Sequence, residues 1–219
     1  MTEEEIIDNI REFVKTELLH SEGGHDWFHA ERVWKTARII ARAEKVNMFI
    51  VAAGALLHDI GDHKFTDGDE SIGLLKARTL LEKLSVDPAA IDHIEKIMSN
   101  ISFKGGNFKQ DFFSLELAVV QDADRLDALG AIGIARAFNY GGFKGRELYN
   151  PAIKPVTAMT VQQYQKSISP TINHFYEKLL LLKDRMNTDT GKQLALQRHR
   201  FMELYLEQFF REWYGDKGV

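Results

Sequence analysis

A histidine and an aspartate, His58 and Asp59, directly follow an apolar segment, Val51–Leu57, in which no residue carries a charge. A helix that is apolar on nearly all sides packs inside a protein, so the imidazole and the carboxylate at its end are expected to be carried into the interior. Buried ionisable groups need a partner. Two interpretations follow: the pair binds a divalent cation through nitrogen and oxygen, or the two side chains form a hydrogen-bonded couple.

Two other predicted helices carry similar groups at positions where an apolar residue would be expected. His29 lies one turn into a predicted helix, and Asp124 interrupts a strongly apolar one. Together with His58 and Asp59 they could supply two imidazoles and two carboxylates to one ion, a donor set that suits Mn, Fe, Ni, Zn or Mg. The sequence therefore favours a metal site assembled from distant segments.

Composition and charge restrict the class of protein. The 219 residues are 44% hydrophobic and 27% charged, which is typical of a globular protein with a substantial core. Without cysteine there are no disulfides and no thiolate metal ligands. A net charge of −4 with no basic tract disfavours binding to long nucleic acids. No apolar run is long enough to span a membrane, and the N-terminus is acidic where a secretory signal is basic, so we expect a cytoplasmic enzyme.

Periodicity and capping signals predict helices nearly throughout the chain, and hence an all-α fold. The predicted N-terminal caps are Thr2 (in a capping box with Glu5), Asp26, Asn47, Asp87 (followed by Pro88) and Ser114. The predicted helices include 26–44, an apolar helix from Asn47 that Gly61 helps to end, and a long one from Ser114 through Phe138.

The longest irregular segment is predicted at 139–155, which contains three glycines and two prolines. Ordered loops of this length are often lids or binding loops, and a plain connector is the alternative. Two amphipathic helices, about 170–187 and 189–213, follow it. The second carries an aromatic stripe that we interpret as core or as the contact of a homodimer, formed by Phe201, Tyr205, Phe209, Phe210 and Trp213.

The order His29, His58-Asp59, Asp124 resembles the HD-domain metal-dependent phosphohydrolase superfamily. The likeness covers roughly residues 20–155, and within the superfamily the chain is similar to the YpgQ/YedJ-like branch. It rests on the segments Gly24-His25-Asp26-Trp27-Phe28-His29 with Arg32-Val33, His58-Asp59-Ile60-Gly61-Asp62-His63-Lys64, Ile101-Ser102-Phe103-Lys104-Gly105 and Asp122-Ala123-Asp124-Arg125-Leu126-Asp127-Ala128. The resemblance implies that His29, His58, Asp59 and Asp124 are the metal ligands. Asp124 is preferred to its neighbouring aspartates because the superfamily's aspartate typically precedes Lys or Arg and then Leu.

The resemblance further implies an all-α HD-domain helical bundle with extra C-terminal helices. We expect one domain over 1–219, with the HD core at about 20–138, the loop at 139–155 and the C-terminal helices at 156–215. The extra histidines of many dinuclear members are not evident, so one divalent ion is expected. Mn²⁺ is the favoured ion, and Mg, Fe, Ni, Co or Zn are the alternatives.

The activity that the resemblance implies is hydrolysis of a small phosphorylated substrate, foremost a nucleoside triphosphate cleaved to monophosphate and pyrophosphate. One alternative is a phosphomonoesterase or phosphodiesterase acting on nucleotides. Another is a non-catalytic nucleotide-binding regulatory protein. A di-iron oxygenase of the same superfamily would need more ligands than the sequence offers.

The resemblance also supplies two candidates for contact with the substrate. Asp62 lies where some mononuclear members carry a catalytic acid, and we interpret it as the general acid or base. Its alternative role is to cap the turn after Gly61. Lys64 follows at the spacing of the resembled branch and would neutralise a substrate phosphate.

Two further residues are substrate candidates from their surroundings in the sequence. Lys104 precedes Gly105-Gly106, and glycines permit close backbone approach to an anion. His25 lies one turn before His29, within reach of the substrate or of the groups around the metal. An ordinary solvated surface position is the alternative for both lysines, Lys64 and Lys104.

Overall fold

The computed structural model describes residues 1–19, 26–60, 71–101, 112–156 and 169–215. In these ranges the chain is helical and has no β-strand, which confirms the all-α prediction. The helices are α1 Glu3–Glu17, α2 Trp27–Ala41, α3 Met48–Leu57, α4 Ser71–Lys83, α5 Pro88–Asn100, α6 Leu115–Asp127, α7 Gly130–Phe143, α8 Thr171–Glu177, the 3₁₀ helix η1 Leu179–Arg185, and α9 Asp189–Tyr214. None of these helices combines the length and the apolar character needed to cross a membrane.

Side-chain caps start the helices at the predicted positions. The Thr2 hydroxyl accepts a hydrogen bond from the Glu5 N–H, and the Glu5 carboxylate accepts one from the Thr2 N–H, so the predicted capping box is present. Asn47 caps α3 and Asp87 caps α5, with Pro88 in the first turn of α5. Each cap satisfies backbone donors that the helix itself cannot pair.

Residues 1–124 form one compact unit around α3. Every α3 residue from Phe49 to Leu57 is buried, and α1, α2 and α5 pack against the helix. The approach of α5 is close at Gly54, where a Cβ atom would lie 3.1 Å from the side chain of Ile97. Because α3 is enclosed, His58 at its C-terminal end is buried as well.

The segment predicted as one helix over 114–138 is two helices. α6 ends at Asp127 and α7 begins at Gly130, whose φ of +71° is left-handed and cannot continue a right-handed helix. Gly133 permits a close backbone approach, since a Cβ atom there would lie 2.2 Å from the carbonyl oxygen of Ala128. The prediction is wrong because the apolar periodicity continues through a break that backbone conformation sets.

The predicted irregular segment 139–155 begins too early, because α7 continues to Phe143. Its glycines misled the prediction: a Cβ atom on Gly141 would lie 2.2 Å from the Thr171 hydroxyl, so glycine here allows a helix to pack closely. The first predicted C-terminal helix, 170–187, is α8 followed by η1, and the second is α9. Residues 157–168 of the predicted region 156–215 lie outside the described residues.

Residues 125–219 form a second compact unit, to which α7, α8, η1 and α9 belong. Part of the aromatic stripe on α9 is core of this unit, because the ring of Tyr205 packs against those of Phe138 and Phe175. Further along α9, Phe209 and other aromatic residues surround the ring of Tyr149. The homodimer contact and the single domain over 1–219 stay predictions.

Candidate metal centre

The first turn of α2 carries His29 into the interior of the first unit. Asp26 is the N-terminal cap, and its Oδ1 atom accepts a hydrogen bond of 2.8 Å from the backbone N–H of His29. The His29 residue is 1% exposed. The cap therefore fixes the turn of backbone from which the imidazole projects.

His58 caps the C-terminal end of α3, and a backbone carbonyl orients its ring. The Nδ1 atom donates to the carbonyl oxygen of Ala55 at 2.8 Å. This bond places the proton of a neutral imidazole on Nδ1 and leaves the lone pair on Nε2. The Nε2 atom lies 3.3 Å from Nε2 of His29, so the two imidazoles direct nitrogen atoms at one point.

Two carboxylates approach the same nitrogen atoms. The Oδ2 atom of Asp59 lies 3.3 Å from Nε2 of His29 and 3.4 Å from Nε2 of His58. The Oδ1 atom of Asp124 lies 3.4 Å and 4.0 Å from those two nitrogens. His29, His58 and Asp59 form the compact, buried part of the cluster, whereas the Asp124 side chain is 36% exposed and lies toward its accessible side.

Contacts along α6 place Asp124 at the cluster. Near the start of the helix, the Glu116 carboxylate accepts a hydrogen bond of 3.0 Å from the backbone N–H of Asn47, the cap of α3. One turn before Asp124, the Gln121 side chain donates to the carbonyl oxygen of Asn100 at the end of α5. These two bonds fix α6 against α3, which carries His58 at its end, and against α5, which packs on α3.

The two carboxylates of the cluster favour a positive charge beside them. Burial alone would lower the pKa of His58, but the carboxylates of Asp59 and Asp124 outweigh it and the pKa is raised. Burial would raise the pKa of Asp124, but the adjacent imidazoles of His29 and His58 lower it. Asp124 therefore stays ionised, and the imidazole beside it is stabilised by opposite charge.

The separations fit donors that share one ion. Ligand atoms held at about 2.1 Å from a common cation lie about 3.0 to 3.4 Å apart. Three of the four nitrogen–oxygen pairs and the nitrogen–nitrogen pair measure 3.3 to 3.4 Å. A direct N–H···O hydrogen bond is usually 2.7 to 3.2 Å, shorter than these contacts. The set of two imidazoles and two carboxylates thus suits a divalent ion better than a hydrogen-bonded couple of His58 and Asp59.

The other aspartates of α6 have different surroundings. Asp127 forms a salt bridge with Arg136. Arg125 donates to the carbonyl oxygen of Arg185. Asp122 is fully buried. Neither Asp122 nor Asp127 belongs to the described cluster.

Four candidates from the sequence have no described position. His25, Asp62, Lys64 and Lys104 lie in segments 20–25, 61–70 and 102–111, outside the described residues. Sequence reasoning missed the Ala55 carbonyl as the group that orients His58. Its only signal is a spacing of three residues at a helix end, because every residue type offers the same carbonyl.

Comparison with known proteins points to one family. The HD domain family model matches residues 27–129, a range that contains all four residues of the cluster. YpgQ of Bacillus subtilis (strain 168) is 37% identical over 206 residues, which cover 94% of this chain and 92% of YpgQ.

Solved structures agree with this comparison. An HD-superfamily hydrolase from Bacillus thuringiensis is 44% identical, with a TM-score of 0.79 over 98% of this chain and 100% of its own. The structure of B. subtilis YpgQ in complex with ADP is 36% identical, with a TM-score of 0.77 over 97% of each chain.

Proposed function

The chain belongs to the HD-domain family, and from this premise we propose that it is a metal-dependent phosphohydrolase that cleaves nucleoside triphosphates to monophosphate and pyrophosphate. The convergence of the nitrogen and oxygen atoms of His29, His58, Asp59 and Asp124 within 3.3 to 4.0 Å carries the proposal. Relatives described as HD-superfamily hydrolases support metal-dependent hydrolysis as the general activity.

These four residues would hold one divalent ion, with Mn²⁺ as the favoured metal. When bound, such an ion lowers the pKa of a water molecule and polarises a phosphoryl oxygen. His58 and His29 would contribute Nε2, and the carboxylates would offset the charge of the cation. Burial of the imidazoles and of Asp59 excludes bulk water from that side of the centre and strengthens its electrostatic interactions.

The remaining steps fall to residues proposed from the sequence. The Asp62 carboxylate would exchange a proton with the attacking water or with the leaving oxygen. Lys64 and Lys104 would offset charge that develops on the phosphate oxygens. His25, one turn before His29, would contact the substrate.

A nucleotide substrate is supported by the relative YpgQ, whose structure holds ADP. ADP bears the base, sugar and phosphate groups that a nucleoside triphosphate also bears, so a related chain with this cluster is expected to accept the larger nucleotide. A small nucleotide substrate supports the proposal that the enzyme is cytoplasmic.

A nucleotide panel tests the proposal. The purified full-length chain is incubated with Mn²⁺ and each nucleoside triphosphate, and pyrophosphate is resolved from orthophosphate. Monophosphate and pyrophosphate in equal amounts are expected. Nucleoside monophosphates and cyclic and linear diesters complete the panel. Orthophosphate released from a monophosphate would instead indicate a phosphomonoesterase, and hydrolysis of a diester a phosphodiesterase. Thermal stabilisation by nucleotide without any product would identify a binding protein and reject the hydrolase.

A further inference from the structure

A cavity lies in the first unit, on a different face from the candidate metal centre. It has a volume of about 490 Å³, within the range of small-molecule sites, and α1, α2 and α3 line it. On α2, Trp34 is five residues from His29, or about 140° around the helix. On α3, Ala52 lines the cavity, and it precedes His58 by about 9 Å along the helix axis. The cavity is therefore separate from the cluster of metal-ligand candidates.

Two buried polar atoms of residues that line this cavity have no partner in the part of the chain that the structure describes. They are Nε1 of Trp34 and Nε of Arg11, both buried. The Trp34 residue is 9% exposed, so water does not readily solvate its indole N–H. Both groups are donors only, and a buried donor without an acceptor is unfavourable. What they lack is an acceptor oxygen.

Positive charge surrounds the same indole. The guanidinium groups of Arg11 and Arg38 lie 4.9 Å and 5.0 Å from the centre of the Trp34 ring. Arg11 also pairs with Asp8 at 2.8 Å through Nη1, which leaves its Nε–H for another partner. The Arg38 side chain forms no ion pair with the described residues. Donors and cations of this kind suit a carboxylate or another oxyanion.

The rest of the lining decides which oxyanion fits. Glu3 and Glu4 also border the cavity, and with Arg11 neutralised by Asp8 they outnumber the remaining cation, Arg38. A dianionic phosphate would face this excess of negative charge. A zwitterion would not, because its ammonium group can pair with a glutamate while its carboxylate meets the donors.

An apolar wall completes the cavity. It is formed by Ile7, Met48, Phe49 and Ala52. We propose that this cavity is a binding site for a small zwitterion with an apolar side chain, of the class of the apolar α-amino acids. The carboxylate is bound by Arg11, Arg38 and the Trp34 indole, the ammonium group by Glu3 or Glu4, and the side chain by the apolar wall.

Calorimetric titration of the full-length chain with L-phenylalanine tests this proposal without any measurement of hydrolysis. A dissociation constant on the order of 1 mM or tighter is expected for a ligand of this size. Titrations with 3-phenylpropanoate, 2-phenylethylamine and inorganic phosphate complete the set. These three should bind about tenfold more weakly or not at all: 3-phenylpropanoate lacks the ammonium group, 2-phenylethylamine lacks the carboxylate, and phosphate lacks both the ammonium group and the apolar side chain.

Variants assign the binding to this cavity. Arg38→Gln should weaken L-phenylalanine binding by about tenfold, because a charge-assisted bond to the carboxylate is lost. Arg42→Gln, at the exposed C-terminal cap of the same helix and outside the cavity lining, should leave it unchanged. Trp34→Phe keeps an aromatic ring and removes only the N–H, and it should also weaken binding by about tenfold. Circular dichroism of each variant checks that the fold is kept.

Several outcomes would overturn the proposal. One is no heat with L-phenylalanine at about 10 mM. Others are equal affinity for 3-phenylpropanoate, which would remove the role of the glutamates, or tighter binding of phosphate. Wild-type affinity in Arg38→Gln would place any binding elsewhere.

Discussion

The backbone carbonyl of Ala55 sets the orientation of His58, and this has consequences for the candidate centre. A carbonyl cannot change protonation state, so the Nδ1–H tautomer of a neutral His58 does not depend on another titratable side chain at that nitrogen. The lone pair on Nε2 is therefore presented to the cluster before any ion arrives. Preorganised donors bind a metal without the cost of ordering them first.

Removal of His58 tests the ligand set. His58→Ala should lower the affinity for Mn²⁺ by more than about 100-fold, since loss of a group that only orients a ligand already costs about 10- to 100-fold. Competition with a chelating dye, followed by elemental analysis after dialysis, measures the effect. His199→Ala is the matched control, because the His199 imidazole is also buried but contacts Glu203, outside the cluster. Full metal content in His58→Ala would remove this residue from the ligands.

Asp62 separates binding from turnover. Asp62→Asn should retain the metal, because the substitution leaves the four proposed ligands in place, and it should lower kcat by about 100- to 10,000-fold through loss of proton transfer. Steady-state kinetics and metal analysis on the same preparation give both quantities. An unchanged kcat would return Asp62 to its alternative role as a turn cap.

At the scale of the helix, one cap connects stability to the candidate site. The Asp26 carboxylate binds the backbone N–H of His29, so it stabilises α2 and also holds the turn that positions a proposed ligand. Asp87 caps α5 in the same manner, through the N–H groups of Ala89 and Ala90, but no ligand candidate lies in that turn. The two caps thus differ in what they position.

This difference predicts a contrast between two variants. Asp26→Ala and Asp87→Ala should each reduce the free energy of unfolding by about 1 kcal/mol. Asp26→Ala alone should also weaken Mn²⁺ binding, because the first turn of α2 frays and moves the His29 imidazole. Urea denaturation and metal titration measure the two effects. Equal metal affinity in both variants would show that the His29 ring is held by other contacts.

Caps of this kind explain how much of the fold the sequence predicts. Thr2, Asn47 and Asp87 act on backbone groups two or three residues away, so their pattern can be read locally. The break after α6 cannot be read in this way, because it depends on the left-handed Gly130 and on the close approach at Gly133.

The candidate centre shows the same division between local and distant information. Its residue types are visible in the sequence and suggested one shared ion, and the family resemblance specified the four ligands. The distances between them could not be predicted, since side chains from three separate segments are brought together by tertiary packing. The cavity at Trp34 gave no signal in the sequence. Its donors are ordinary surface or core residues until α1, α2 and α3 are assembled.

The break after α6 makes its own prediction. Gly130→Ala should destabilise the protein by about 1 to 2 kcal/mol, because an L-residue is strained at φ +71° and its Cβ atom would lie 3.1 Å from the Arg198 side chain. Gly142→Ala is the control: its Cβ atom meets nothing within 4 Å, φ is not positive, and alanine favours helix by about 0.5 to 1 kcal/mol. The denaturation midpoint should fall in Gly130→Ala and rise in Gly142→Ala. A rise in both variants would contradict the strained conformation at Gly130.

For the whole molecule, the two compact units have different kinds of titratable histidine. Among the described residues of the unit 1–124, the buried histidines belong to the candidate centre, where carboxylates raise the pKa of His58. In residues 125–219, burial and the positive charges of Lys178 and Arg146 lower the pKa of His174 to about 3. His174 is consequently neutral in the folded protein throughout the mildly acidic range.

Acid should therefore destabilise the protein through His174. Its pKa in the unfolded chain is the ordinary 6.5, so between pH 6.5 and 3 the unfolded chain binds a proton that the folded one does not, and the free energy of unfolding decreases as the pH falls. The loss is about 1.4 kcal/mol per pH unit, or about 2 kcal/mol at pH 5. Urea denaturation at pH 8 and pH 5 should show a smaller difference between the two pH values in His174→Gln than in the wild type. At pH 8, His174 is neutral in both the folded and the unfolded chain, so any difference in stability between the variant and the wild type at that pH reports packing alone. An identical acid loss in the two proteins would mean that His174 takes up its proton in the folded state.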